Sequence, residues 1–232
     1  MSVDNIMDCY GLADTIDIRE GKVAFQRYHD SMRAMAKYHG FGFVQTVAAF
    51  AALSPNNDYM GNLRSLVSLM EGVKLGLDPK QITTSTYNQC RDRAYAYITG
   101  EADFLMCTKG PKTRAFYHNI IDPKSVSHVT IDGHMYGVWR GERFRMAEVA
   151  KMGFPYRIIE KDFKTAARRL GLIPCQLQAI LWFTWKRHHN VVYSAQMDLF
   201  NHAEEDIWGL NVKPESIRGF PDTLLRVPDG SD

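Results

Sequence analysis

Residues 108–123 read TKGPKTRAFYHNIIDP, and residues 124–139 read KSVSHVTIDGHMYGVW. Gly110-Pro111 is a helix-start signal, because proline at the first helical position loses no hydrogen bond and its φ is already helical. A helix over 111–121 follows, carrying Lys112, Thr113 and Arg114 and stopped by Asp122-Pro123. A short helix ending near Met106 supplies the first arm of a hairpin of two helices. After a loop, the β-branched run Val129-Thr130-Ile131 delivers Asp132 just ahead of a further helix over 133–139. The backbone N–H groups of a turn such as that at Gly110 suit a phosphate. Lys112 and Asp132 stand twenty positions apart, so they share a site only if the intervening helix turns back.

On the N-terminal side, residues 1–20 read as a mixed lead-in and 22–39 as a helix ended by Gly40. Residues 43–53 (FVQTVAAFAAL) are nearly all apolar and rich in alanine, which predicts a buried helix rather than a strand. The break Leu53-Ser54-Pro55-Asn56-Asn57-Asp58 precedes a helix over 58–72. Residues 75–79 form a loop, and 86–98 a helix ended by Gly100. On the C-terminal side, 141–150 and Phe154-Pro155 connect to a helix over 161–170, with Phe163, Ala166, Ala167 and Leu170 on one face. Residues 174–188 (PCQLQAILWFTWKRH) read as a buried helix, in which Trp182 and Trp185 are core residues or, less simply, a base-stacking platform. Periodicity fades after about Glu205. With no alternating strands anywhere, the fold class is all-α.

The 232 residues suffice for one sizeable domain or two small lobes. Hydrophobic residues at 45% and charged residues at 23% fit a folded globular protein and argue against disorder. A formal charge of +2 does not by itself mark a nucleic-acid binder, so any basic surface must be local. Local candidates are Lys109, Lys112, Arg114 and Lys124; then Arg140, Arg143 and Arg145; then Arg168-Arg169 and Lys186-Arg187. The plain alternative is scattered solvated charge. The four cysteines lie far apart with no C-x-x-C, which fits reduced thiols in a cytosol-like compartment. No signal peptide and no membrane-length apolar run is read. His188-His189 lacks metal-ligand spacing, and nucleotide-binding and hydrolase motifs are absent.

The stretch at 108–139 resembles the helix-hairpin-helix DNA glycosylases, the superfamily that includes endonuclease III and the 8-oxoguanine glycosylases. In that family a hairpin similar to L-P-G-V-G-x-K-T-A grips the DNA backbone, and an Asp in a V-D-x-H segment follows about twenty residues later. Gly110-Pro111-Lys112-Thr113 matches the second half of the hairpin, and Ile131-Asp132-Gly133-His134 the Asp segment. Cys107 and Thr108 depart from the Pro and Gly of the first half. The resemblance covers roughly 40–190 and implies a two-lobed all-α fold with a cleft between the lobes. On this division 1–40 contributes to one lobe, 41–190 is the core, and 191–232 holds a C-terminal helix and an irregular tail.

The resemblance implies double-stranded DNA as the partner, with no membrane and no protein partner, and an enzyme that flips a modified or damaged base and cleaves its N-glycosidic bond. Asp132 then stabilises positive charge building on the deoxyribose or orients the nucleophile; its plain role is a helix N-cap worth about 1 kcal/mol. Lys112 is either a Schiff-base nucleophile, its neutral amine favoured by desolvation at a partly buried helix start, or a phosphate contact. Gly110, Thr113, Arg114 and Lys109 would bind DNA with it. Asn56, or Asn57, fills the space left by the flipped base, or Asn57 and Asp58 cap the next helix. Ser54, His134, Tyr136 and Gln178 line the substrate pocket, although a histidine buried and hydrogen-bonded is an equal reading for His134. No cofactor is expected, since the iron–sulfur cysteines of some relatives have no counterpart, and no metal. The alternatives are a phage-type enzyme of the same fold that displaces pyrophosphate from an activated thymine with an amine or amino acid, and a DNA-binding module without catalysis. The compartment expected is the cytoplasm, that of the host if the chain is phage-encoded.

Overall fold

A computed structural model of the protein describes residues 2–55, 57–144 and 155–191. The chain divides at residue 194, into Met1–Tyr193 and Ser194–Asp232, and the described residues all belong to the first unit. They are all-α, as the apolar periodicity predicts. The helices are α1 (Ser2–Gly11), α2 (Thr15–His39), α3 (Phe43–Leu53), α4 (Tyr59–Lys74), α5 (Asn88–Thr99), α6 (Phe104–Cys107), α7 (Pro111–Ile121), α8 (Gly133–Arg140), α9 (Tyr156–Leu170) and α10 (Pro174–His188), with a 3-10 turn at Pro79–Gln81.

The lead-in expected at 1–20 is helical instead. α1 contributes Ile6 and Cys9 to the core, and α2 begins well before residue 22. The signal overlooked is Asp14-x-x-Asp17. The Asp14 carboxylate accepts from the Ile16 and Asp17 N–H groups, each at 2.8 Å, and Asp17 accepts from Asp14 N–H at 3.2 Å, a reciprocal capping box. α9 likewise starts earlier than expected, at Tyr156 rather than 161. The segments 145–154 and 192–232, including Arg145 and the expected C-terminal helix and tail, lie outside the described residues.

Two packing groups share α10. In one, α3 is buried from Thr46 to its end and meets α2, α4, α5 and α7. Its Phe50 joins Phe25, Tyr28, Tyr59 and Phe116 in a cluster of tilted and edge-to-face rings. In the other, α1, α8, α9 and α10 bury Ile6, Met135, Val138, Ile159, Phe163, Leu177, Leu181 and Trp185.

α10 also lies along α2, where Gly21 permits the approach: a Cβ there would stand 2.5 Å from the backbone nitrogen of Ile180. A buried polar tie supplements this apolar seam. Asp17 receives Thr184 Oγ1 at 3.1 Å and Arg187 Nη2 at 2.6 Å, so its buried charge is paired and hydrogen-bonded.

Candidate functional site

The hairpin forms as predicted, with 108–110 joining α6 to α7. The Thr108 N–H donates to Phe104 O at 2.8 Å, and the Arg114 N–H to Gly110 O at 3.1 Å. Arg114 Nη1 donates to Leu105 O at 2.6 Å and Thr108 O at 3.1 Å, so this guanidinium braces the turn from within. Lys109 Nζ closes on Met106 O at 2.9 Å, and the Tyr97 and Thr108 hydroxyls lie 3.0 Å apart. Two of the cations expected to meet DNA thus also hold the hairpin's own carbonyls. Gly110 is the N-cap of α7 and has no side chain to occupy the first N–H groups. Lys112 sits there exposed, rather than partly buried as expected, and Thr113 is half-buried beside it.

The run 129–131 forms no strand and its backbone pairs with side chains instead. The Tyr156 hydroxyl donates to Val129 O at 2.7 Å and accepts from the Ile131 N–H at 3.2 Å. Val129 N–H donates to Glu160 at 3.1 Å, and the Asn119 amide meets the Thr130 hydroxyl at 3.0 Å. Buried backbone groups need such partners, and α9 supplies them. Tyr156 therefore fixes the segment that delivers Asp132, a role that periodicity does not reveal.

Asp132 is half-buried and is the N-cap of α8, its Oδ1 accepting from Met135 N–H at 2.9 Å. Among the described residues no hydrogen bond or ion pair engages Oδ2, and none joins Asp132 to Lys112. The charges of both residues act on His134, whose pKa is lowered. Burial is the main cause; Asp132 opposes it, while Lys186, Arg143 and Lys112 reinforce it. Burial therefore favours the neutral form of His134. Lys186 is half-buried on the last turn of α10, its ammonium 3.9 Å from the ring centre of Trp182. Burial pulls its pKa down, and the Asp132 carboxylate pulls the other way. His189 completes the group: its ring packs on Trp185 at 4.1 Å, and its buried Nε2 has no hydrogen-bond partner among the described residues.

The structure thus brings the charges of Asp132 and Lys112 to bear on His134 and adds Lys186, Arg143 and His189. The four-residue spacing of Trp182 and Lys186 on one helix was the available signal for the lysine.

Other expected site residues take structural roles. Tyr136 belongs to the core, between Trp139 and Phe144, and is no open pocket wall. The Ser54 hydroxyl donates to Ala51 O at 2.9 Å, closing α3. Asn57 turns its amide toward Leu53 O at 3.4 Å, and Asp58 caps α4; Asn56 lies outside the described residues. Gln178 is buried on α10, one turn before Trp182. Among the described residues no group of His, Cys, Asp and Glu has metal-binding geometry, and no helix is long and apolar enough to cross a membrane.

The fold and site define an all-α protein in which an exposed helix start and a carboxylate at a second helix start act on one half-buried histidine. The chain belongs to a family of unknown function, DUF7178, whose pattern matches residues 1–189 and so spans every helix described above. No curated protein and no solved structure matches it.

Proposed function

We propose that the protein binds duplex DNA through the α6–α7 hairpin, flips a modified or damaged base into a cleft between two helical lobes, and cleaves its N-glycosidic bond at Asp132. The observation that carries this reading is the state of that carboxylate. One oxygen is held by its own helix, no hydrogen bond among the described residues engages the other, and the carboxylate acts on the charges of His134 and Lys186. As the glycosidic bond breaks, positive charge grows on the sugar, and a carboxylate held in place stabilises it without reorganising. His134 in its neutral form can donate or accept one hydrogen bond to the departing base or an attacking water. The uncapped first turn of α7, with Lys112 and Thr113, suits a backbone phosphate. Extrusion of the nucleotide is required because the reacting atoms are inaccessible inside a duplex.

A second reading is favoured by the excess of cations, Lys112, Arg143 and Lys186, whose charges act on His134 beside a single carboxylate. Such a site would receive an anionic leaving group, as in displacement of pyrophosphate from an activated thymine by an amine. The test is incubation of the full chain, and of Asp132→Asn, with duplexes carrying a panel of modified bases. Free base lost in the variant supports excision. A heavier base in an intact strand, seen only with an amine donor, supports modification. DNA bound with neither change overturns both and leaves a binding module.

A further inference from the structure

The segment that delivers Asp132 is held from two sides, and one of its ties differs in kind from the rest. On the α9 side, Lys164 Nζ donates to Ser127 O at 2.6 Å, Glu160 accepts from the Val129 N–H at 3.1 Å, and the Tyr156 hydroxyl bonds Val129 and Ile131. On the α7 side, the Asn119 amide meets the Thr130 hydroxyl at 3.0 Å. There too the His118 and His128 rings stack face to face, with centres 4.2 Å apart and planes 10° from parallel. Both imidazoles are half-buried. Among the described residues no hydrogen bond engages either ring, and their nitrogens are not sealed from water. Two charges so close in a half-buried site repel too strongly for both rings to be protonated while stacked. The groups facing the pair add to this. Arg114 stands one turn before His118 on α7, its guanidinium braced in the hairpin turn, and Tyr117 meets His118 edge-on at 5.2 Å. From α9 come Lys164 and Glu160, paired with each other at 3.3 Å. Burial, then His128 and Arg114, lowers the pKa of His118. Burial also lowers that of His128, with Glu160 opposing and Lys164 and Arg114 reinforcing the fall.

We propose that the His118–His128 stack is a proton-operated latch, which when neutral holds the segment carrying Asp132 against the hairpin helix α7 and when protonated releases it on that side. The sign follows from the direction of the shifts. Both native midpoints lie below the ordinary 6.5, so the unfolded chain binds these protons more readily than the native one. The stability from the neutral stack is complete above 6.5 and is lost as pH falls through the native midpoints. The α9 ties to Ser127, Val129 and Ile131 do not depend on either imidazole, so the segment loosens from α7 without leaving the fold. The latch is independent of the reaction assigned to Asp132.

The test is made on the full chain without any ligand, by NMR titration of the histidine rings and by hydrogen exchange at the Val129 and Ile131 amides, corrected for the intrinsic effect of pH. His118→Phe and His128→Phe each keep a flat ring in the stack but remove one proton site. In the wild type both rings are expected to titrate below 6.5, and in either variant the remaining histidine moves back toward that value. Amide protection in the wild type is expected to fall through the same pH range, by about tenfold for each unit by which a midpoint is lowered, and to stay level in His128→Phe. A histidine midpoint that ignores the loss of its partner overturns the latch. So does protection that does not change with pH in the wild type, or that falls equally in His128→Phe. Should a variant not fold, the wild type decides alone: two independent single-proton curves centred on 6.5 overturn the proposal.

Discussion

The starts of α4 and α8 are built alike and differ in what surrounds them. Asp58 and Asp132 are both N-caps with extended backbone, and each carboxylate accepts from the third N–H of its helix, Gly61 at 2.7 Å and Met135 at 2.9 Å. Asp58 is exposed, and capping accounts for its presence. Asp132 caps as well, yet it also acts on the charges of His134 and Lys186. Local chemistry therefore does not separate a capping aspartate from a working one. The neighbours brought by other helices do.

Substitution by Asn separates the two roles, because Asn caps about as well as Asp but carries no charge. Asp132→Asn is expected to lower the rate of base release by about 10²–10³, the scale of losing one preorganised electrostatic contact, with little change in thermal midpoint. Asp58→Asn is expected to leave both unchanged. Equal losses in the two variants, measured by single-turnover release, would make Asp132 no more than a cap.

The fold was legible because its signals are local. Gly110-Pro111, Gly40 and Gly100 mark helix ends, and the boundaries of α3, α7 and α10 follow from apolar runs between such punctuation. Asp14-Asp17 was an equally local signal, overlooked because an acidic pair in a polar lead-in resembles surface charge. The site was only half legible. Asp132 and His134 lie in one short segment, and Lys112 is linked to them by spacing. Lys186 is remote in sequence, and its charge meets that of Asp132 only once α8 packs on α10, where Gly137 lies against the Trp185 ring. Tyr156 was hidden for the same reason: its two hydrogen bonds to 129–131 exist only once α9 has docked.

Moving α10 should disturb one helix start and spare the other. Gly21 faces the Ile180 backbone with no room for a side chain, so Gly21→Leu forces α2 and α10 apart. A loss of about 1–3 kcal/mol is expected by denaturant titration, with reduced base release, while the α4 cap is untouched. A variant as stable and active as the wild type would show that the spacing of α2 and α10 does not matter to the Asp132 site. Removing the caps outright gives a smaller effect. Asp58→Ala and Asp132→Ala are each expected to cost about 1 kcal/mol, so the two starts match in stability while differing in activity. An Asp132→Ala cost well below that of Asp58→Ala would mean that the cation-rich surroundings do not favour the carboxylate.

The smallest effect probes the coupling itself. The native pKa of His134 lies below its ordinary value of 6.5, chiefly through burial, with Lys186, Arg143 and Lys112 adding to the fall and Asp132 resisting it. The unfolded chain therefore binds the proton more readily than the native one. The stability from neutral His134 is complete above pH 6.5 and is lost as pH drops through the window between that value and the lower native one. His134→Asn should flatten this part of the stability profile, read as the difference between variant and wild-type urea midpoints. Four other histidines, His39, His118, His128 and His189, are shifted the same way, so only the difference isolates His134. In Asp132→Asn the imidazole should titrate lower still by NMR, since the charge that favours its protonation is gone. In Asp58→Asn it should not move. A His134 midpoint that ignores Asp132 would mean that the carboxylate and the imidazole do not share a site, and the start of α8 would become a second copy of the start of α4.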